Sequence, residues 1–202
     1  MISHSALAEI AATVYRGPWS NTVDADVHYA LLPRAGEVVV ALPGTHPTDA
    51  LDWLRDISLW PVRVRGVGFV HSGFGLGAQA AWVRMAPMLS RDKLITFTGH
   101  SLGGALAICL AALHAYERPG ASFRLVTFGA PRAGFLLPWI NHRLRGAIEH
   151  VQYARASDIV PDVPTRPYLH GGRLTRIGVS IGDFVANHAI SQYAADLKAL
   201  GA

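Results

Sequence analysis

The feature that most constrains the fold is the stretch LITFTGHSLGGALA at residues 94–107. A β-prone run leads into Ser101, which has glycine two positions before it and two positions after it. Glycines at these positions remove side chains that would clash where a strand turns sharply into a helix, so the serine hydroxyl becomes exposed on the turn. Ser101 is therefore the candidate nucleophile. The alternative is an ordinary glycine-rich β-to-α turn in which Ser101 caps the helix.

Hydrophobic periodicity predicts that strands and helices alternate from residue 36 onwards. The predicted helices cover 5–15, 48–59, 75–89, 101–116 and 188–200, and the predicted strands cover 27–32, 38–42, 94–97, 125–128, 150–154 and a hairpin arm at 173–181. This order is typical of an α/β protein with a mainly parallel sheet that helices cover on both faces. Because no linker-like segment divides the 202 residues, we expect one domain over 1–202.

Composition narrows the classes of function. Half of the residues are hydrophobic and 16% are charged, which indicates a compact globular protein. The net charge is +4, but the arginines are scattered singly and no basic run interleaves with aromatic residues, which argues against nucleic-acid binding. The only cysteine is Cys109, and no two histidines have the HExxH spacing, so we expect neither a metal nor a cofactor.

The N-terminal residues MISHSALAEIAATVYRG contain neither the basic segment nor the long apolar run of a signal peptide. No uninterrupted apolar stretch is long enough to span a bilayer. We therefore expect a soluble protein without a transmembrane segment, either cytoplasmic or exported without a recognisable signal peptide.

A serine hydroxyl becomes a nucleophile at neutral pH only with a base, and the base needs a partner that orients it. In enzymes with this type of turn, the acid and then the histidine follow the serine along the chain. The stretch RASDIVPDVP offers two acids after a predicted strand, Asp158 and Asp162. Asp158 comes first, at the carboxyl edge of the sheet where sites on such folds collect. Asp162 lies between two prolines and is interpreted as a turn former.

The candidate base is His188, in the stretch DFVANHAISQY at the start of the predicted last helix. It follows both acids and a loop long enough to return to the sheet edge. His170 precedes two glycines and the predicted hairpin arm, so it is interpreted as a structural hydrogen bonder.

Two N–H donors are needed to hold the negative charge that develops on a reacting carbonyl oxygen. Leu102, directly after the nucleophile, would supply one. The predicted strand 38–42 leads into Pro43-Gly44-Thr45, and the backbone N–H of Thr45 would supply the other. The alternative is an ordinary turn in which Thr45 or Thr48 caps a helix.

Six motifs in order resemble the class 3, or fungal-type, lipases of the α/β-hydrolase superfamily. The resemblance covers roughly residues 36 to 195, and its motifs are GT followed by DWLRDI, then FVHSGF, GHSLGGALA, TFGAPRAG, SDIVPDVP and NHAISQYAADL. The resemblance implies an α/β-hydrolase fold and hydrolysis of lipid esters through an acyl-enzyme. It implies a catalytic triad of Ser101, Asp158 and His188, and so favours Asp158 over Asp162. It also implies an oxyanion hole formed by Thr45 and Leu102, the two donors inferred above. One departure is Pro43, where the family often has arginine.

The same resemblance leaves the substrate open. A lipid or a small ester is expected, met at a lipid–water interface, and a phospholipase A1, a thioesterase or an acyltransferase would use the same scaffold. A hydrolase-like binding module without catalysis is a further alternative. In the family, the segment after the oxyanion loop can act as a lid, which makes residues 51–60 the candidate lid. We expect this segment to pack permanently on the core, and a mobile lid is the alternative.

Overall fold

A computed structural model describes residues 1–19, 21–23, 27–45, 60–136, 139–180 and 182–202. The helices in these ranges are α1 (His4–Thr13), α2 (Ser72–Met85), α3 (Leu102–Glu117), α4 (Trp139–Leu144), α5 (Phe184–His188) and α6 (Ile190–Ala199). Short 3-10 helices cover Val14–Arg16, Ala86–Met88 and Val160–Asp162. The strands are β1 (Asn21–Val23), β2 (Val27–Arg34), β3 (Glu37–Leu42), β4 (Pro61–Val64), β5 (Gly68–His71), β6 (Leu94–His100), β7 (Phe123–Phe128), β8 (Gly134–Phe135), β9 (Glu149–Arg155), β10 (Tyr168–Leu169) and β11 (Leu174–Ile177).

The main sheet has the strand order β1-β2-β3-β6-β7-β9-β11. The five strands from β3 to β11 are parallel, and β1 and β2 pair antiparallel at the other edge. A second, antiparallel sheet has the order β10-β8-β5-β4. The predicted mainly parallel sheet is therefore confirmed. Its register brings the carboxyl ends of β3, β6, β7 and β9 to one edge, where the chain continues into 43–45, Ser101, Gly129 and the loop with Asp158.

The core lies on both faces of this sheet because successive side chains of a strand point to opposite faces. In β3, Val38, Val40 and Leu42 pack with α2 and α3, whereas Val39 and Ala41 pack with α1 and α6. Helix α3 is apolar on all sides, and every residue from 103 to 114 is buried. A helix of this kind is stable only inside the protein, so its first turn, next to Ser101, has a fixed position.

Two local predictions are wrong. Residues 174–177 form no hairpin: β11 pairs in parallel with β9 as the edge strand of the main sheet. Thr175 and Arg176 are exposed there, and the residue types of a short, partly exposed strand do not reveal the direction of its partner. His188 ends α5 instead of starting the last helix, because Ala189 has extended backbone angles (φ −62°, ψ 127°) that separate α5 from α6.

The predicted helix 48–59 lies outside the described residues, and so does the candidate lid except for Trp60. Trp60 is 78% exposed, so for this residue the expectation of packing on the core is wrong. Among the helices that the structure describes, none combines the length and the apolarity needed to cross a membrane.

His114 is a fully buried histidine in α3 that is enclosed by aromatic rings. The ring centroids of Trp82, Phe97 and Phe123 lie 5.8, 5.6 and 5.6 Å from its own. Neither ring nitrogen forms a hydrogen bond with the residues that the structure describes. Burial, and to a smaller extent the charge of Arg118, lowers the pKa of His114 from 6.5 to about 4.

This histidine makes the stability of the fold pH-dependent. Between pH 6.5 and about 4 the unfolded chain binds a proton at His114 that the folded chain does not bind. The free energy of unfolding therefore rises with pH through this window, by about 3 kcal/mol from this group. Urea denaturation at pH 4.5 and pH 7 should show a smaller difference for His114→Leu than for the wild type. An equal difference in both proteins would contradict the burial of a neutral imidazole.

Candidate active site

Ser101 joins β6 to α3 in a backbone conformation that L-residues rarely adopt, with φ 56° and ψ −128°. Its N–H donates to the carbonyl of Phe128 over 3.0 Å, and its own carbonyl accepts from the N–H of Gly104 over 2.9 Å. The strained turn is thus held by the neighbouring strand β7 on one side and by the first turn of α3 on the other.

The glycines around Ser101 are required by the backbone itself. A Cβ added to Gly99 would lie 2.4 Å from the carbonyl oxygen of Gly103, and one added to Gly103 would lie 2.2 Å from the carbonyl oxygen of Leu42. These are backbone atoms of a buried turn and of β3, so neither neighbour can give way easily. The helix can therefore approach the strand end only with glycine at both positions.

Asp158 and His188 form a buried pair at the same sheet edge. Asp158 follows β9, and its Oδ2 accepts a hydrogen bond from Nδ1 of His188 over 2.8 Å. The two residues are only 1% and 3% exposed. Oδ1 of Asp158 accepts from the backbone N–H of Val160 over 2.9 Å. The carboxylate is an acceptor, so Nδ1 of His188 carries the proton and Nε2 is left as the basic nitrogen.

Tyr193 also bonds the carboxylate of Asp158. The sequence analysis noted this tyrosine only as part of a family motif. Its hydroxyl donates to Oδ2 of Asp158 over 2.5 Å and accepts from the N–H of Arg155 over 3.0 Å. Burial, followed by the neighbouring charge of Asp158, raises the pKa of Tyr193 well above 10, so the phenol remains a donor. The signal in the sequence was its position five residues after His188, on the helix that packs under the site.

The imidazole of His188 lies beside the turn that carries Ser101. Its ring centroid is 4.5 Å from that of His100, the residue directly before Ser101. Gly129, at the end of β7, lies against the pair: a Cβ added there would be 3.0 Å from Oδ2 of Asp158 and 3.1 Å from Cε1 of His188. Ser101 Oγ and His188 Nε2 are both buried, and within the described ranges neither forms a hydrogen bond.

The loop after β3 passes directly over Ser101. A Cβ added to Gly44 would lie 2.9 Å from Cβ of Ser101, and Thr45 is the next residue. Leu102 is the first residue of α3, so its N–H has no carbonyl partner within the helix and lies at the positive end of the helix dipole. The structure thus places Thr45 and Leu102 in the surroundings of Ser101.

The alternative residues lie apart from this cluster. The carboxylate of Asp162 is half-exposed and accepts from Arg176 over 3.1 Å, and Nε2 of His170 donates to the carbonyl of Pro161 over 2.6 Å. Asp162 therefore has an arginine as its partner, and His170 bonds the backbone as predicted. In the described part of the chain, no group of three or more His, Cys, Asp or Glu residues is placed to hold a metal ion.

Comparison with solved structures identifies the fold. Lipase II from Rhizopus niveus superimposes with a TM-score of 0.72 at 22% identity, covering 86% of this chain and 78% of that one. With the strand order and the turn at Ser101, this similarity makes the fold that of an α/β-hydrolase.

Sequence comparison identifies the family. The family model for lipase (class 3) matches residues 39–168, so the chain belongs to the class 3 lipases, a family of carboxylic ester hydrolases. A lipase of Caenorhabditis elegans is 33% identical over 110 residues, 49% of this chain and 30% of that protein. The secreted mono- and diacylglycerol lipase 1 of Fusarium solani is 32% identical over 150 residues, 69% of this chain and 42% of that protein. The chain spans less than half the length of either relative.

The packing of the turn makes a prediction for stability. Gly103→Ala should lower the free energy of unfolding by about 2 kcal/mol or more, because the added methyl group overlaps the carbonyl of Leu42. Gly146→Ala is the matched control, since the nearest atom to its added Cβ is 3.7 Å away, and it should change the value by less than about 0.5 kcal/mol. Urea denaturation measures both. Equal stability of the two variants would show that the turn tolerates a side chain.

Proposed function

We propose that this chain is a serine hydrolase that cleaves carboxylic esters of lipids through an acyl-enzyme. The observation that carries the proposal is the buried Asp158–His188 pair, 2.8 Å between Oδ2 and Nδ1, beside the strained turn of Ser101. Membership of the class 3 lipases and similarity to a mono- and diacylglycerol lipase support a lipid ester as substrate.

In the proposed reaction, Oγ of Ser101 attacks the ester carbonyl carbon while Nε2 of His188 takes the hydroxyl proton. The N–H groups of Thr45 and Leu102 hold the negative charge that develops on the carbonyl oxygen. The intermediate collapses, the alcohol leaves with the proton from His188, and the acyl group stays on Ser101. Water then loses a proton to His188 and attacks the acyl carbon. As the acid leaves, His188 returns that proton to Oγ of Ser101, which restores both the serine and the base.

Asp158 keeps the imidazole in the tautomer that this reaction needs. Its two oxygens accept from Val160, Tyr193 and His188, so the carboxylate cannot rotate away from Nδ1. When His188 becomes an imidazolium, the adjacent buried carboxylate stabilises the new charge. Tyr193 is assigned the role of fixing the orientation of Asp158, because its hydroxyl is held in turn by the backbone of Arg155.

Membership of the class 3 lipases is the basis for proposing that the enzyme works on lipid at an interface. Two apolar side chains close in sequence to the acid and the base are in contact with water: Ile159, which follows Asp158 directly, is 51% exposed, and Val185 in α5 is 40% exposed.

The nucleophile is tested by Ser101→Ala. The hydroxyl forms no hydrogen bond in the described structure, so the fold should be retained. Hydrolysis of p-nitrophenyl butyrate and of emulsified triolein should fall roughly 10,000-fold or more, and labelling by a fluorophosphonate probe should disappear. Hydrolysis by the variant at the wild-type rate would overturn the proposal.

The acid is tested by comparing two substitutions of the same kind. Asp158→Asn should lower the hydrolysis rate roughly 1,000-fold or more, because an amide no longer fixes the tautomer of His188. Asp162→Asn is the control, since Asp162 contacts arginines at the surface, and it should retain most activity. The kinetics of p-nitrophenyl butyrate hydrolysis separate the two. A larger loss in the Asp162 variant would mean that the wrong acid has been assigned.

A further inference from the structure

Tyr15 reaches the turn of Ser101 from outside the part of the chain that matches the family model. It lies in the 3-10 helix Val14–Arg16 that follows α1, whereas the match begins at residue 39. Its hydroxyl is 2.6 Å from Nδ1 of His100, the residue directly before Ser101. The N-terminal segment is thus connected by a hydrogen bond to the side chain of the residue that precedes the candidate nucleophile.

His100 connects that same backbone to the base. It is 2% exposed, and its Nε2 is 2.7 Å from the carbonyl oxygen of His188. His188 is the last residue of α5, so its carbonyl has no partner inside that helix. The side chain of His100 therefore provides the hydrogen-bond donor for the carbonyl at the end of α5, the helix that carries His188.

The directions of these hydrogen bonds follow from chemistry. A carbonyl oxygen only accepts, so Nε2 of His100 carries the proton. Burial, and to a smaller extent the charge of His188, keeps the pKa of His100 well below 6.5. The hydrogen bond to the carbonyl of His188 raises this pKa but does not outweigh the other two effects. The imidazole is therefore neutral, Nδ1 is an acceptor, and the hydroxyl of Tyr15 must be the donor.

The hydroxyl of Tyr15 also contacts the oxyanion loop. A Cβ added to Gly44 would lie 2.5 Å from this oxygen, so only glycine allows the approach. Burial raises the pKa of Tyr15 above its ordinary value of 10, and a hydrogen bond from the backbone of Gly44 acts in the opposite sense. The phenol thus stays protonated, accepts from the loop and donates to His100.

We propose that Tyr15 and His100 are positioning residues that fix the base and the oxyanion loop relative to Ser101. The inference rests on the proposed function. A chain of directed hydrogen bonds runs from Gly44 through Tyr15 and His100 to the carbonyl of His188, and His100 is covalently attached to Ser101. One connected set of atoms therefore sets the distances among the nucleophile, the base and the loop that precedes Thr45.

Catalysis depends on such distances more steeply than stability does. An error of about 1 Å in the placement of a reacting group can cost 100-fold in rate. Loss of one partly buried hydrogen bond, by contrast, leaves most of the protein folded. A positioning role therefore predicts a loss of turnover in enzyme that is still folded, with little change in KM.

The experiment compares Tyr15→Phe with Tyr153→Phe. Tyr153 is a matched control because its hydroxyl is also 2.6 Å from Nδ1 of a histidine, His4, away from the turn of Ser101. Each substitution removes one phenol–imidazole hydrogen bond and keeps the ring. With active sites counted by fluorophosphonate titration, Tyr15→Phe should lower kcat about tenfold with KM nearly unchanged. Tyr153→Phe should keep the kcat of the wild type.

His100 supplies a second pair of variants. A glutamine at this position can still donate to the carbonyl of His188 and accept from Tyr15, whereas a leucine of similar size can do neither. His100→Leu should lower kcat per titrated site by about 100-fold, and His100→Gln should recover at least a tenth of the wild-type value. If His100→Leu fails to fold, the Tyr15 pair alone decides the question.

The outcomes separate this inference from the proposed function. Wild-type enzyme that hydrolyses esters, together with a Tyr15→Phe variant as active per site as Tyr153→Phe, would overturn the positioning role alone. A fall in melting temperature with unchanged turnover per site would do the same, because it shows a purely structural role. Wild-type enzyme without ester hydrolysis would overturn the proposed function itself.

Discussion

The site depends on one close contact between backbones, where the first turn of α3 meets the end of β3. Gly103 lies so near the carbonyl of Leu42 that a single added carbon would be 2.2 Å from the oxygen. This contact directs the start of the helix at the sheet edge and forces Ser101 into its unusual conformation. It also brings the loop of Gly44 beside the serine, because that loop begins where β3 ends.

The residues around Ser101 come from all parts of the chain, and the parallel sheet is the reason. Parallel strands end at one edge, so the segments after β3, β6 and β9 bring the proposed oxyanion loop, the proposed nucleophile and the proposed acid to the same place. The proposed base, His188, arrives differently, at the end of a helix. Asp158 accepts a hydrogen bond from its imidazole, and the ring of His100 donates one to its carbonyl. Buried partners on each side leave few orientations open to its imidazole.

A feature could be predicted from the sequence when the residues that determine it are close together along the chain or follow a fixed order. The turn of Ser101 was predicted because its glycine spacing reports a local steric requirement. Asp158 and His188 were proposed from a fixed order along the chain, with the family resemblance favouring Asp158, and the structure places the two side chains 2.8 Å apart. The positions of Tyr15 and His100 could not be predicted, since their bonds join residues far apart in sequence and leave no spacing rule. The edge strand β11 was misread for a related reason: the direction of a strand is decided by its partner.

The conformation of Ser101 has a consequence for how sequences at this position can vary. A non-glycine residue with φ 56° costs the folded state roughly 1–3 kcal/mol, and a glycine would not carry that cost. Glycine would also remove the hydroxyl. Selection for stability therefore favours glycine at this position, whereas selection for a reactive hydroxyl favours serine. A chain that keeps serine there has given up stability for reactivity.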